Sequence, residues 1–178
     1  MPPQVEFHLV RTAEIVYPPS SATGPHPVAV QISGHAVTVD VTAVEEVAVH
    51  SLGFRVVNRH PTRSGTVSMC FNPAPEPNLR FWLDEPTRTA HGPVRLDWPV
   101  TIRRGRSRQF VVSAHTKKHD VEWELSITVD WGAGLHQMTC RVRTTAETGM
   151  VRFSPDGTTS VAKIHAEPDR PEDSSARP

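Results

Sequence analysis

Apolar and polar residues alternate along much of this chain, and the run from Val121 to Trp131 shows the pattern most clearly. Every second residue of the run is apolar: Val121, Trp123, Leu125, Ile127, Val129 and Trp131. The residues between them are polar, and three of those are acidic. Because successive side chains of a β-strand point to opposite faces, a period of two predicts a strand with one face towards a core and one towards water.

Similar alternation predicts short strands along most of the sequence. We expect them at Gln4–Tyr17 (as one strand or two), Val28–Ser33, Val37–Val41, Val47–Arg59, Thr66–Phe71, Leu79–Leu83, Val94–Ile102, Arg108–His115, Val121–Trp131 and His136–Thr144, with weaker ones at Met150–Phe153 and Ser160–Ile164. About nine to eleven short strands separated by turn residues are typical of an all-β sandwich or barrel. The sequence therefore predicts an antiparallel β-sandwich that is loosely immunoglobulin-like.

The stretch from Thr42 to Leu52 fits two patterns, because its apolar residues also allow a helical stripe. Val47 and Val49 are β-branched, however, and β-branched residues favour strands. We therefore expect a loop at Val44–Glu46 and a long strand that begins at Val47.

Proline, glycine and serine mark the predicted loops, since these residues interrupt strand pairing. The three longest loops are expected at Pro18–Pro27, Asn72–Asn78 and Asp84–Pro93. A shorter turn at Arg103–Ser107 lies between two predicted strands, and we expect it to close a β-hairpin.

The length of 178 residues fits a single domain. We expect a β-sandwich over residues 1–164 and a polar, disordered tail over residues 165–178. The chain holds 19 basic and 19 acidic residues, so it offers no net field to attract nucleic acid or an anionic membrane. The sequence contains no secretory signal pattern and no apolar run long enough to span a membrane, which predicts a cytoplasmic protein.

Three segments together are similar to a known group of proteins. VHSLGFRVVNRHPTRSGTV (Val49–Val67), RFWLDEP and RRGRSRQFVVSAHTKKHDVEWELSITVDW resemble a family of uncharacterised actinobacterial β-sandwich proteins. The likeness covers about residues 28–155 and consists of a pattern of strands and turns. It implies a bacterial β-sandwich, and it carries no activity that could be transferred to a residue of this chain.

Two cysteines, Cys70 and Cys140, flank Trp82 in the order found in immunoglobulin domains. Met138 stands where that fold has a tyrosine, and too many strands precede Cys70 for a close match. A disulfide between the two cysteines therefore stays open, and we favour two reduced, buried thiols.

Ten histidines raise the question of a metal site, and His115 and His119 are the one close pair. A catalytic zinc needs three converging ligands and an open position. The pair spans a predicted turn, and two lysines between the histidines would repel a cation. They are weak candidates, so we assign no metal and no cofactor.

Four arginines crowd the predicted hairpin turn: Arg103, Arg104, Arg106 and Arg108. Guanidinium groups can bind carboxylates or phosphates through two hydrogen bonds each. Proteins that bind single-stranded nucleic acid interleave such cations with stacking aromatics, and only Phe110 flanks these arginines. We therefore expect either a solvated turn or a contact with an acidic protein, rather than contact with nucleic acid.

Trp82 and Trp98 are the aromatic residues most suited to a ligand. Trp82 follows Phe81, so one of the two must point away from the core, and Trp98 precedes Pro99 near a strand edge. Exposed tryptophans can bind sugars or other small ligands.

No catalytic motif occurs in the sequence. We therefore expect a non-catalytic binding or accessory module that contacts another protein through loops or an edge strand. The first alternative is a small-ligand or carbohydrate binder that uses the exposed tryptophans, and the second is a metal-dependent enzyme with a histidine-rich site.

Overall fold

The computed structural model describes residues 1–10, 13–21, 24–62, 65–69, 75–84, 96–132, 134–146 and 162–164. These residues form twelve strands and no helix. The strands are β1 (Gln4–Val10), β2 (Ala13–Tyr17), β3 (Val28–Ile32), β4 (Ala36–Thr42), β5 (Val47–His60), β6 (Gly65–Met69), β7 (Leu79–Trp82), β8 (Val100–Ile102), β9 (Ser107–His115), β10 (Asp120–Asp130), β11 (Leu135–Thr145) and β12 (Ala162–Ile164). Cys70, the expected strand at Met150–Phe153 and the expected tail over residues 165–178 lie outside the described residues.

The strands form two sheets that pack against each other, which confirms the predicted β-sandwich. The first sheet has the order β1-β4-β9-β7, and the second has the order β12-β6-β2-β3-β11-β10-β5-β8. Most neighbouring strands are antiparallel, but β7 runs parallel to β9 and β3 runs parallel to β11. Both sheets are therefore mixed, and the likeness to an immunoglobulin fold is loose.

The main core lies between the first sheet and the β11-β10-β5-β8 part of the second. On β10, Trp123, Leu125 and Ile127 are fully buried, as their alternation predicts. The Phe81 ring packs 4.8 Å from that of Phe54 and 6.2 Å from that of Trp123, the latter edge to face. Full burial of an apolar side chain of this size stabilises a fold by about 1.5–3 kcal/mol.

A second, smaller core belongs to β2, β3 and β6. Its buried residues are Ile15, Tyr17, Val30, Ile32 and Val67. Only two residue pairs, Thr144↔Gln31 and Thr145↔Ile32, join β3 to β11. The second sheet thus consists of two parts that share a very short seam.

A buried polar network crosses that seam. The Tyr17 hydroxyl donates a hydrogen bond to Asp120 (3.1 Å) and lies 3.3 Å from the Thr145 hydroxyl oxygen. Arg143 donates to both carboxylate oxygens of Asp120 at 2.8 Å. Burial raises the pKa of Tyr17 to about 12, so this hydroxyl stays protonated and can donate. Because Asp120 is fully buried, its charge depends on these partners.

Between β4 and β9, the predicted start of a long strand is confirmed and the predicted hairpin turn is wrong. The long strand does begin at Val47, where β5 starts. The prediction of a hairpin at Arg103–Ser107 is wrong. The strand before the turn, β8, pairs with β5 in the second sheet, whereas the strand after it, β9, pairs with β4 in the first. The turn therefore connects the two sheets. The backbone of Ala43, just after β4, binds it: Gly105 N–H donates to Ala43 O (2.7 Å), and Ala43 N–H donates to Arg106 O (2.9 Å).

The strand expected at Val94–Ile102 is also shorter than the sequence indicates. Residues 94 and 95 lie outside the described residues, and Leu96–Pro99 form no strand. Pro99 has no N–H to contribute to a ladder, so pairing starts only at Val100.

Candidate functional site

Trp82 lies at the end of β7, where other side chains cover its ring. The ring stacks on His115 with 4.8 Å between centroids, and Lys117 Nζ lies 5.6 Å from its centroid. Phe81 is fully buried and Trp82 is half-buried, which confirms that one of this pair points away from the core. Burial lowers the pKa of His115, with a further contribution from Arg80.

His115 and His119 have separate partners. His115 stacks on Trp82, while His119 Nδ1 lies 3.7 Å from an Asp84 carboxylate oxygen. Asp84 also accepts a hydrogen bond from the Thr116 hydroxyl (2.9 Å), so the carboxylate fastens the turn before β10. Within the part of the chain that the structure describes, no three histidine, cysteine or acidic residues are grouped so that they could hold a metal ion.

The four arginines of the sheet-connecting turn are all exposed. Trp98 lies close to these arginines, which the sequence does not reveal. The Trp98 ring lies 5.9 Å from the Phe110 ring, and Arg108 Cζ lies 5.8 Å from the centroid of the Phe110 ring. Trp82 lies at the other end of β9. The two tryptophans proposed as ligand contacts therefore do not share one groove.

The strongest candidate for a binding surface is the free edge of β11, which the sequence does not reveal. Thr145 O accepts a hydrogen bond from Ser33 N–H (2.8 Å), whereas Ala146 N–H donates to His119 O (3.1 Å) on the β10 side. Because the backbone groups of a strand alternate in direction, the odd-numbered residues of β11 point their N–H and C=O groups away from β10. From Leu135 to Arg141, no strand among the described residues pairs with those groups, and pairing with β3 starts at the Arg143 C=O, which faces the Gln31 N–H.

A groove lies beside the inner end of this edge, between β11 and β1. Its volume is about 180 Å³. Its lining is mostly apolar: Phe7, Leu9, Ala29, Gln31, Val37, Cys140, Arg141, Val142 and Arg143. Leu9 is 43% exposed, and Leu135, at the outer end of the edge, is 63% exposed. Apolar side chains are therefore available at both ends of the free edge.

Cys140 is a free thiol in this groove, which agrees with the favoured prediction for this residue. It is half-buried, and burial raises its pKa. A thiol of raised pKa is mostly protonated at neutral pH, so Cys140 contributes apolar surface rather than a nucleophile.

The free edge lacks the features that normally protect an edge strand. The Arg141 guanidinium lies 3.6 Å from Glu122 and that of Arg143 lies 2.8 Å from Asp120, so both side chains are drawn across β10, away from the edge. The β10–β11 register is continuous, whereas the β10–β5 register is shifted at two places. Proline, lysine and bulges are the usual means of blocking an edge, and Leu135–Arg143 has none of them.

A titratable residue in the interior links the two sheets. His35 is fully buried, and its Nε2 lies 2.7 Å from the Thr144 hydroxyl oxygen. Trp123 Nε1–H donates to the same oxygen at 2.8 Å, which leaves the Thr144 proton for His35 Nε2. Burial lowers the pKa of His35 to about 4, with a small further lowering from His115, so the imidazole is neutral at pH 7.

Comparisons with protein families, curated proteins and solved structures found no match. The resemblance to the actinobacterial family therefore stays a prediction. None of the described segments forms a helix with the length and hydropathy needed to cross a membrane.

Proposed function

We propose that this protein is a non-catalytic binding or accessory module that adds an extended segment of a partner protein to the free edge of β11. The unpaired edge from Leu135 to Arg141, with an apolar groove beside it, is the observation that carries this proposal. Strand addition is a recurrent mode of peptide recognition, in which backbone hydrogen bonds supply affinity and pockets for alternate side chains supply specificity.

The edge offers both backbone groups of four residues: Leu135, Gln137, Thr139 and Arg141. One of them is already engaged weakly, since Cys140 Sγ lies 3.9 Å from Arg141 O. Each new backbone hydrogen bond contributes about 0.5–1.5 kcal/mol net, and ordering the incoming segment offsets much of that gain. Hydrogen bonds alone therefore do not give tight binding.

The groove supplies the additional free energy and the specificity. An apolar cavity of about 150 Å³ accommodates a benzene molecule, so the groove volume of about 180 Å³ fits one side chain of leucine or phenylalanine size. Burial of such a side chain contributes about 1.5–3 kcal/mol. The preferred segment is thus extended and apolar at alternate positions, with a large apolar residue opposite Cys140 and Val142.

Selection from a displayed library of random nine-residue peptides tests the proposal. We expect the enriched peptides to alternate apolar and polar residues and to protect the amide protons of Gln137, Thr139 and Arg141 from exchange in NMR spectra. Thr139→Pro removes one outward-facing N–H without removing a β10–β11 hydrogen bond, and it should weaken binding at least tenfold.

Thr139→Ala is the matched control, because it removes the same side chain and keeps the N–H. Equal binding by both Thr139 variants, or protection of amides elsewhere in the sandwich, would contradict strand addition at β11. Sedimentation of the protein alone distinguishes a further outcome: if wild type is a dimer and Thr139→Pro is a monomer, the segment that occupies the edge belongs to a second copy.

The two alternative functions have less support. Trp82 and Trp98 lie at opposite ends of β9, and each already stacks on a neighbouring ring. His115 and His119 contact different partners. A cytoplasmic location stays a prediction from the sequence.

A further inference from the structure

We infer that the sheet-connecting turn Arg103–Ser107, together with Arg108 at the start of β9, binds an acidic segment of a protein partner. Arg103, Arg104 and Arg106 hold the carboxylates. This site is independent of the free edge of β11 and does not depend on the function proposed for it. Four observations support it: the arginines lack carboxylate partners, their turn is fixed, an aromatic pair supports the fourth arginine, and the neighbouring charges disfavour nucleic acid.

The arginines of the turn differ from three of those on the strands. Arg55, Arg141 and Arg143 each lie within 4 Å of a carboxylate, at 3.2, 3.6 and 2.8 Å. Among the described residues, Arg103 and Arg104 make no ion pair or side-chain hydrogen bond, and the same is true of Arg106. A guanidinium carries five N–H donors in a planar fork, so these three side chains present unused donors for a carboxylate.

The backbone under these side chains is rigid. Arg106 N–H donates to Arg103 O at 3.0 Å, and two further hydrogen bonds join the turn to Ala43. Gly105 has a φ of 70°, a left-handed conformation that suits glycine, and this allows the chain to reverse between the two sheets. Because the backbone is already ordered, binding restricts only the side chains.

Arg108, an exposed residue at the start of β9, extends the cationic surface beyond the turn. It shares the inward face of β9 with Phe110, lies over that ring, and Trp98 stacks against the same ring. A cation over an aromatic face is attracted by the negative potential of the ring. The aromatic pair therefore orients Arg108 beside the turn.

Nearby acidic residues favour a protein ligand over a nucleic acid. Glu45 and Glu46, both exposed, follow Ala43 on the loop that binds the turn, and Glu45 lies 3.2 Å from the N-terminal amine. A nucleic acid backbone carries a negative charge at every phosphate and would be repelled there. A peptide can place acidic residues on the arginines and neutral or basic residues opposite the glutamates.

Fluorescence anisotropy with labelled peptides at low salt tests this inference. The probe is six consecutive glutamates flanked by glycine and serine, and a hexaglutamine peptide with the same flanks is the comparison. We expect binding of the glutamate peptide only, with affinity that falls as salt is raised. The triple variant Arg103→Gln, Arg104→Gln, Arg106→Gln should weaken it at least tenfold.

A second triple variant, Arg55→Gln, Lys117→Gln, Lys118→Gln, removes the same charge from exposed positions elsewhere and should bind within about twofold of wild type. Circular dichroism confirms that both variants fold. Equal weakening by the two variants would show that net charge alone acts, which overturns the site. The same conclusion follows if the hexaglutamate peptide does not bind, or if a decamer of thymidylate binds more tightly than the peptide does.

Discussion

Protonation of the buried His35 provides a quantitative test of the fold. Its imidazole lies at 0% exposure and bonds to Thr144, whose hydroxyl also accepts the Trp123 indole N–H. A charged imidazole there would lose its hydration without gaining an anionic partner. We therefore predict that acidification from pH 7 to pH 4 destabilises the protein through this residue.

The sign follows from the two pKa values. The unfolded chain takes up the proton near 6.5, whereas the folded protein takes it up only near a pKa of about 4. The contribution of His35 is thus present above pH 6.5 and is lost as the pH falls to about 4. A difference of about 2.5 pKa units at about 1.4 kcal/mol per unit corresponds to about 3.5 kcal/mol.

Urea denaturation, followed by tryptophan fluorescence at several pH values, measures this contribution. Carboxylates and other histidines also titrate in this window, so the informative quantity is the difference between wild type and His35→Gln. The glutamine variant should be less stable than wild type at pH 7, because its contact with Thr144 is imperfect. Its free energy of unfolding should fall less steeply with acidification, by about 1 kcal/mol per pH unit between pH 4 and 6.

His26→Gln is the matched control, since it removes an imidazole from an exposed loop position. Its pH dependence should follow that of wild type. The reasoning about His35 is refuted if wild type and His35→Gln lose stability in parallel between pH 6.5 and 4, because the buried imidazole would then contribute nothing to the slope.

Three further predictions concern the packing and the thiol. Asp120→Asn should cost about 2–3 kcal/mol in urea denaturation, since it leaves Arg143 without its buried carboxylate; unchanged stability would contradict the role of this pair. Gly65→Ala should cost about 1–3 kcal/mol, because a Cβ there would lie 2.7 Å from the carbonyl oxygen of Val16, and a neutral effect on the melting temperature would show that β6 can shift. Cys140 should react with a thiol reagent more slowly at pH 8 than a free cysteine does, and reaction at the rate of the free amino acid would disprove its burial.

The alternation along the sequence predicts individual strands better than it predicts their partners. The apolar residues of β10 show which face is buried, and the β-branched valines correctly favour a strand from Val47 over a helix. Period-two patterns carry no information about which strands pair, however. The turn at Arg103–Ser107 therefore looks like a hairpin in the sequence, although its hydrogen bonds go to Ala43 and its two strands belong to different sheets.

The candidate sites show the same limit. The arginines could be recognised because their type and spacing are local properties. The Trp98–Phe110 stack could not, because it depends on how the chain passes from one sheet to the other. The free edge of β11 could not be predicted, because it arises from the position of β3 rather than from a residue of β11. Its sequence offers one hint: Leu135–Arg143 contains neither proline nor lysine, which commonly protect an edge.

The two-residue seam between β3 and β11 has a consequence for how the molecule opens. β2, β3 and β6 have their own small core, so separating them from the main sandwich disrupts two backbone pairs and the Tyr17–Asp120 contact while both cores stay packed. Cooperative units that share few contacts exchange their amide protons independently. We therefore expect this unit to detach at a lower free energy than global unfolding, which would lengthen the exposed edge of β11 by the Arg143 C=O and the backbone groups of Thr145.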